Sequence, residues 1–283
     1  MALYNLHKKG WFVLAIYYRY SPASLAAYVA FFWFYEGEKP AHTMERRLPD
    51  GSVSLVINLH EDRTRLYNRE HPERFCEYSG SVLSGAHSTF LLLDTGCLAS
   101  VMGVVFRPGG ALPFLSFPLH EIANTVISLD TLWGEDLREL LLDAETYQQR
   151  FERLERFLLA RLKETKPVHP AVPYAVRKMQ QEYGALPIAG LVEDLGMSQT
   201  RFVQIFKEAI GIAPKQFCRI VRFQKTLHLL TKGRSVPLSR LALECGYFDQ
   251  AHFIHDFRNF AALSPSDYLT RRGEYRNHVA LPV

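Results

Sequence analysis

The sequence predicts an α+β chain. An N-terminal domain of mixed helix and strand, built on a small sheet or barrel, precedes an all-α domain of two helix-turn-helix units. Three observations lead there. Between residues 45 and 128 apolar residues recur with a period of two, the mark of strands. Beyond residue 188 the period lengthens to that of a helix, and one pattern occurs twice. Charge divides along the same line: residues 174–283 hold 15 Lys and Arg against 9 Asp and Glu, residues 1–173 hold 18 against 20. The expected layout is a first domain over 1–164, a linker over 165–173, the helical domain over 174–272 and a tail over 273–283.

From the N-terminus, Lys8-Lys9 precedes an eight-residue apolar run, Trp11–Tyr18, which Arg19 interrupts. It is far shorter than the roughly 20 residues a spanning helix needs, so no membrane segment is expected. In the next run, Ala23–Tyr35, Leu25, Tyr28, Val29 and Phe32 fall at helical spacing, and a core helix is expected. Strands are expected at Val53–Leu59, Arg65–Tyr67, Thr89–Leu93 and Ala99–Phe106. Pro49-Asp50-Gly51 and Pro108-Gly109-Gly110 are turns, with φ fixed at Pro and positive φ open to Gly. Residues 133–164 read as a long helical stretch. Its stripe of Phe151, Leu154, Leu158 and Leu162 either packs on its own domain or pairs with its mate in a homodimer. Pro167, Pro170 and Pro173 mark the linker.

The repeated unit follows. Its first copy carries Leu191, Gly196, Ser198, Phe202, Phe206, Pro214 and Phe217; its second carries Leu241, Gly246, Asp249, Phe253, Phe257, Pro265 and Tyr268. Phe202 to Phe253, Phe206 to Phe257 and Pro214 to Pro265 are each a shift of 51, whereas Leu191 to Leu241 is 50, so the second turn holds one extra residue. Each glycine is placed to end a helix in the left-handed conformation, and Ser198 or Asp249 to cap the next one. Phe202, Ile205, Phe206 and Ala209 face inward in the first copy, and Phe253, Phe257 and Phe260 in the second. Pro214 to about Lys232 reads as a joining helix that Gly233 stops. Its length is roughly 28 Å at 1.5 Å per residue, near the roughly 34 Å between successive major-groove faces of DNA.

Other chemistry finds little support. Cys76, Cys97, Cys218 and Cys245 show no Cys-x-x-Cys spacing, and the last two sit on apolar helix faces as core residues. No His-x-His, Gly-x-Ser-x-Gly, Walker or dinucleotide fingerprint occurs. No catalytic residue, metal site or cofactor is therefore expected, and the chain is not read as an enzyme. His60-Glu61-Asp62 reads as a solvated loop. Arg107 either binds an anion or holds its turn by bonding neighbouring carbonyls.

Residues 174–272 resemble the AraC/XylS-type transcriptional regulators. The carrying residues are Leu195-Gly196, Phe202-x3-Phe206-Lys207, Ala213-Pro214, Arg222, Leu229-Leu230, Leu241-Ala242, Gly246-Tyr247-x-Asp249, Phe253-x3-Phe257-Arg258 and Ser264-Pro265-x2-Tyr268. Thr226 replaces the family's alanine, Ala262 its usual glycine, and Val203 an often polar base-facing residue. More loosely, Leu48–Gly51, Phe106–Gly110 and Leu129–Gly134 resemble an uncharacterised N-terminal domain fused to such regulators. The resemblance implies two helix-turn-helix units bridged by a long helix, with double-stranded DNA as the partner. The residues expected on the two reading helices are Gln199, Thr200, Val203, Gln204 and Lys207, then Gln250, Ala251, Ile254, His255 and Arg258. A cytoplasmic, sequence-specific regulator is the expected function, with RNA polymerase and a small-molecule effector left open as further partners. The rival is a helical protein-interaction module fused to a ligand-binding or enzymatic N-terminal domain.

Overall fold

The computed structural model describes residues 15–37, 42–96, 98–134, 137–162, 167–232, 237–273 and 275–281. Strands dominate the first part. One antiparallel sheet contains β1 (Ala15–Tyr20), β2 (Val29–Glu36), β4 (Ser54–Asn58), β7 (Ser81–Ser84), β9 (Ser100–Phe106) and β10 (Val126–Ser128), in the order β1-β2-β9-β4-β7-β10. A second contains β3 (Met44–Arg47), β5 (Thr64–Tyr67), β6 (Phe75–Tyr78), β8 (Leu91–Asp94) and β11 (His278–Ala280), in the order β11-β3-β8-β5-β6. The four expected strands are β4, β5, β8 and β9. The chain is α+β as expected, its sheet-rich first part built as two sheets and followed by a helical region.

The expected Ala23–Tyr35 helix is absent. Residues 23–28 form a tight turn, closed by Tyr28 and Val29 N–H groups on the Leu25 carbonyl, and β2 begins at Val29. Leu25, Val29 and Phe32 are buried as their spacing predicts, and Tyr28 is half-buried against the core. The turn and a register shift between Val29 and Phe31 imitate helical spacing. The aromatic run Phe31–Tyr35 suits a pleated sheet instead.

One face of the first sheet carries Phe32, Val104, Leu55 and Leu83 in register. It packs on helix α3. The stretch 133–164 is not one helix: α1 (Leu129–Trp133), α2 (Leu137–Leu142) and α3 (Tyr147–Arg161) succeed one another. Gly134 ends the first at φ 64°, and the Thr146 side chain caps the third by accepting from the Gln149 N–H. The Phe151 ring meets Phe32 edge-on at 6.4 Å, and Tyr147 stacks on Tyr17 at 4.0 Å. Phe151, Leu154 and Leu158 are buried in their own chain and Leu162 is partly covered. The stripe therefore packs on its own domain.

The helical region opens with α4 (Ala171–Gln181), which starts inside the expected linker with Pro173 in its first turn. After it come α5 (Ile188–Asp194), α6 (Gln199–Ile210), α7 (Pro214–Thr231), α8 (Leu238–Glu244), α9 (Gln250–Ala261) and α10 (Pro265–Arg271). The tail then returns to the first domain: β11 pairs with β3, Val279 opposite Arg46. Burial pushes the Glu45 carboxyl up, but hydrogen bonds and charge from His278 and His42 outweigh it and hold it below its usual range.

The two halves share one apolar core. Helix α6 packs on a 3-10 turn, Leu119–Ile122. Helix α7 lies on the expected Pro49-Asp50-Gly51 turn, where the Gln224 Nε2 donates to the Pro49 carbonyl at 2.8 Å and Phe217 and Ile220 lie against Gly51. Nearby, His87 is buried with Nε2 3.1 Å from Ser84 Oγ. Burial, aided by Arg47 and Arg69, lowers its pKa to about 4, with Asp50 opposing.

Candidate nucleic-acid interface

Each unit is built as the local sequence dictates. Gly196 (φ 60°) and Gly246 (φ 79°) take the left-handed conformation that lets the chain turn directly after α5 and α8. Ser198 Oγ accepts from the Arg201 N–H at 3.3 Å, and Asp249 Oδ1 from the His252 N–H at 2.7 Å. Both expected caps are present. Phe202, Ile205, Phe206 and Ala209 bury one stripe of α6; Phe253, Phe257 and Phe260 bury one stripe of α9. Pro214 occupies the first turn of α7, whose 18 residues span about 27 Å. Gly233, its expected stop, lies outside the described residues.

The opposite faces are open. Gln199, Thr200, Gln204 and Lys207 are exposed on α6, and Gln250, Ala251, His255 and Arg258 on α9. Val203 and Ile254 are half-buried, and Ile254 packs against the core edge. Every expected reading residue thus has at least part of its side chain on a free face. Gln204 is held along its own helix: Arg201 Nη1 donates to its Oε1 at 3.3 Å, and its Nε2 donates to Glu208 Oε1 at 3.0 Å. Arg201 was missed in the sequence, although it lies three residues from Gln204 on the same face. His252, also exposed, lies edge-on to the buried Tyr247 ring at 5.4 Å.

Not every cation of the basic half faces outward. On α7, Arg222 Nη2 donates to the Gly184 carbonyl at 2.8 Å, and its guanidinium lies 5.1 Å from the Tyr247 ring. Lys225 Nζ donates to the Glu244 carbonyl at 2.5 Å, satisfying the end of α8. Arg219 pairs with Asp256, a buried carboxylate in the inward stripe of α9. Three basic residues of the joining helix are therefore clips that fasten α8, α9 and the turn after α4. Arg201, Lys207, Lys215, Arg240 and Arg258 are exposed cations.

The remaining sequence candidates are structural. Arg107 Nε donates to the Ala26 carbonyl at 2.8 Å, so it fastens the turn before β2. Glu61 holds its own loop, and Asp62 Oδ1 ties that loop to the turn before β7 by accepting from the Gly80 N–H at 3.0 Å. Cys218 and Cys245 are buried and burial raises both thiols, Cys218 to about 11. Cys76 is exposed, and Cys97 lies outside the described residues. Thr226 is fully buried and donates to the Arg222 carbonyl at 3.0 Å; Ala262 holds φ 49°, the left-handed conformation its glycine counterpart takes freely. Among the described residues no helix is long and apolar enough to cross a membrane.

Residues 191–271 match a helix-turn-helix domain family, and residues 18–128 match a domain of unknown function (DUF6597). The C-terminal domain is an AraC-type helix-turn-helix domain. Curated relatives match about a third of the chain. An uncharacterised HTH-type transcriptional regulator of Haemophilus influenzae is 39% identical over 90 residues, 32% of this chain and 30% of its own length. The HTH-type transcriptional regulator GadX of Escherichia coli is 29% identical over 87 residues, 31% of each chain. The chain thus spans about a third of the curated relatives it matches. Among solved structures, the C-terminal domain of AraT from Geobacillus stearothermophilus is 24% identical over 39% of this chain and 93% of its own, with a TM-score of 0.36. ToxT of Vibrio cholerae is 11% identical over 92% of this chain and 98% of its own, with a TM-score of 0.49.

Proposed function

We propose that the chain is a sequence-specific transcription regulator whose α6 and α9 read two successive major-groove segments of duplex DNA. One observation carries this reading: two capped helices with free polar faces recur at fixed offset, joined by a helix about 27 Å long. Thr200, Gln204 and Lys207 offer hydrogen-bonding groups to base edges and phosphates. Ala251 and Ile254 offer apolar contact, suited to a thymine methyl. The half-site under α6 should then hold the stricter polar preferences. The N-terminal domain docks on α6 and α7, which suits control of the reading unit by a small-molecule effector. RNA polymerase is the further partner of such a regulator.

The test is a binding selection on random duplex DNA with the full chain, followed by affinity against salt. The reading expects a two-part site and an affinity that falls linearly with salt on logarithmic axes. Absence of salt-dependent duplex binding would leave the protein-interaction module in its place.

A further inference from the structure

Asp256 lies on the inward face of α9, 2% exposed, among phenylalanines. A carboxylate there needs a partner. Arg219 of α7 supplies it, with Nη2 at 2.5 Å and Nε at 3.2 Å from Oδ1. The guanidinium also lies 5.3 Å from the Phe260 ring. The pair does not stand alone. Arg219 Nη1 donates to Gln216 Oε1 at 3.1 Å, and the other end of that amide, Nε2, donates to the Ser88 carbonyl at 3.3 Å. Ser88 belongs to the first domain. Its N–H and Oγ both donate to Asn124 Oδ1 at 2.7 Å, and the Asn124 N–H donates to the Ala86 carbonyl at 3.0 Å. An unbroken polar chain thus runs from a corner of the N-terminal domain to the second reading helix.

We propose that Gln216 and Arg219 are positioning residues, through which the Ser88–Asn124 corner sets the placement of α9. The polarity of the amide is the reason. Gln216 has one donating and one accepting end. Donation to the Ser88 carbonyl fixes which end faces Arg219, and only the oxygen can accept from a guanidinium. When Ser88 moves away, the amide is free to turn. Its oxygen is then no longer held in place, and Arg219 loses part of the contact that aims its guanidinium at Asp256. Helix α6 rests on the neighbouring Leu119–Ile122 turn by packing and supplies no member of this polar chain, so the effect falls first on α9. Its consequence for DNA rests on the regulator reading; the relay itself does not.

Amide hydrogen exchange on the full chain, without DNA, tests it. One such hydrogen bond contributes about 0.5–1.5 kcal/mol, so Gln216→Ala should speed exchange of the α9 amides roughly 2- to 10-fold. The α6 amides should stay as in wild type. Asn124→Gly, which keeps the positive φ that Asn124 holds (59°) but removes the acceptor, should do the same. Asn124→Asp, which keeps the acceptor, should not. The double variant Asn124→Gly/Gln216→Ala should exchange no faster than either single one, because both cut the same chain. Unchanged α9 exchange, equal acceleration of α6, or independent effects in the double variant would overturn the relay. With a selected duplex, Gln216→Ala should relax base preference under α9 alone, and equal loss in both half-sites would count against it. If wild type binds no duplex, the regulator reading fails while the exchange data still decide the relay.

Discussion

Phe257 is the residue on which the second helix-turn-helix unit turns. Its side chain is fully buried, with ring centroids of Phe223, Tyr268 and Phe253 at 5.3, 5.6 and 5.9 Å. Phe257→Ala removes a phenyl group from the meeting point of α7, α9 and α10. Loss of transfer energy and the cavity left behind together cost about 3–5 kcal/mol. For a cooperative unit of 150–250 residues each kcal/mol lowers Tm by about 2–4 °C, so a fall of roughly 6–20 °C is expected. Phe248, one position before the α9 cap and 86% exposed, is the internal control. Phe248→Ala should change stability by less than about 0.5 kcal/mol. Thermal unfolding followed by circular dichroism, with duplex binding measured on the same samples, decides the matter. A Phe257→Ala protein that melts as wild type does, yet has lost DNA binding, would show that the ring serves the interface and refute the packing argument.

Ala262→Gly should raise stability by about 0.5–1 kcal/mol, since alanine at φ 49° pays a steric cost that glycine does not; a lower Tm would contradict this. His87 gives a pH dependence. Its folded pKa is about 4 against about 6.5 unfolded, so between those values the unfolded chain holds the extra proton and stability falls as pH drops. The loss approaches roughly 3 kcal/mol, and His87→Gln should flatten that part of an acid titration of Tm. Gln204→Ala should cost about 1–3 kcal/mol on the selected site and relax one base position; equal weakening on all sequences would make Gln204 a phosphate contact. Arg46 has its Nε and Nη1 buried without a hydrogen-bond partner, beside Phe90, and burial and the charge of Arg271 lower its pKa. Arg46→Met should therefore raise Tm, and a fall would indicate an anion at that guanidinium.

What the sequence determined by itself is what a single segment encodes. In each unit the stop, the cap and the inward stripe lie within fifteen residues, Gly196 to Ala209 in the first and Gly246 to Phe260 in the second. Local hydrogen bonds and a 3.6-residue period settle them before any distant contact forms. Their recurrence fifty to fifty-one positions later made the helical half legible, exposed faces included. Where two periods compete, local evidence fails: Leu25, Val29 and Phe32 are buried as expected, but a turn followed by a strand places them, because β2 gains partners on both sides, β1 and β9. Tertiary structure alone decided the rest. The tail strand His278–Ala280 carries no strand signal, and neither does Met44–Arg47, yet they pair because the end of α10 brings them together. In the sequence Asp256 is one polar residue among several in its helix, and Arg219 one cation among those of the joining helix. Only the approach of α9 to α7 shows that the two belong to each other, and only the docking of α7 on the first domain ties them to Ser88. Pairings across such separations depend on the summed geometry of every element between them, which no local pattern records.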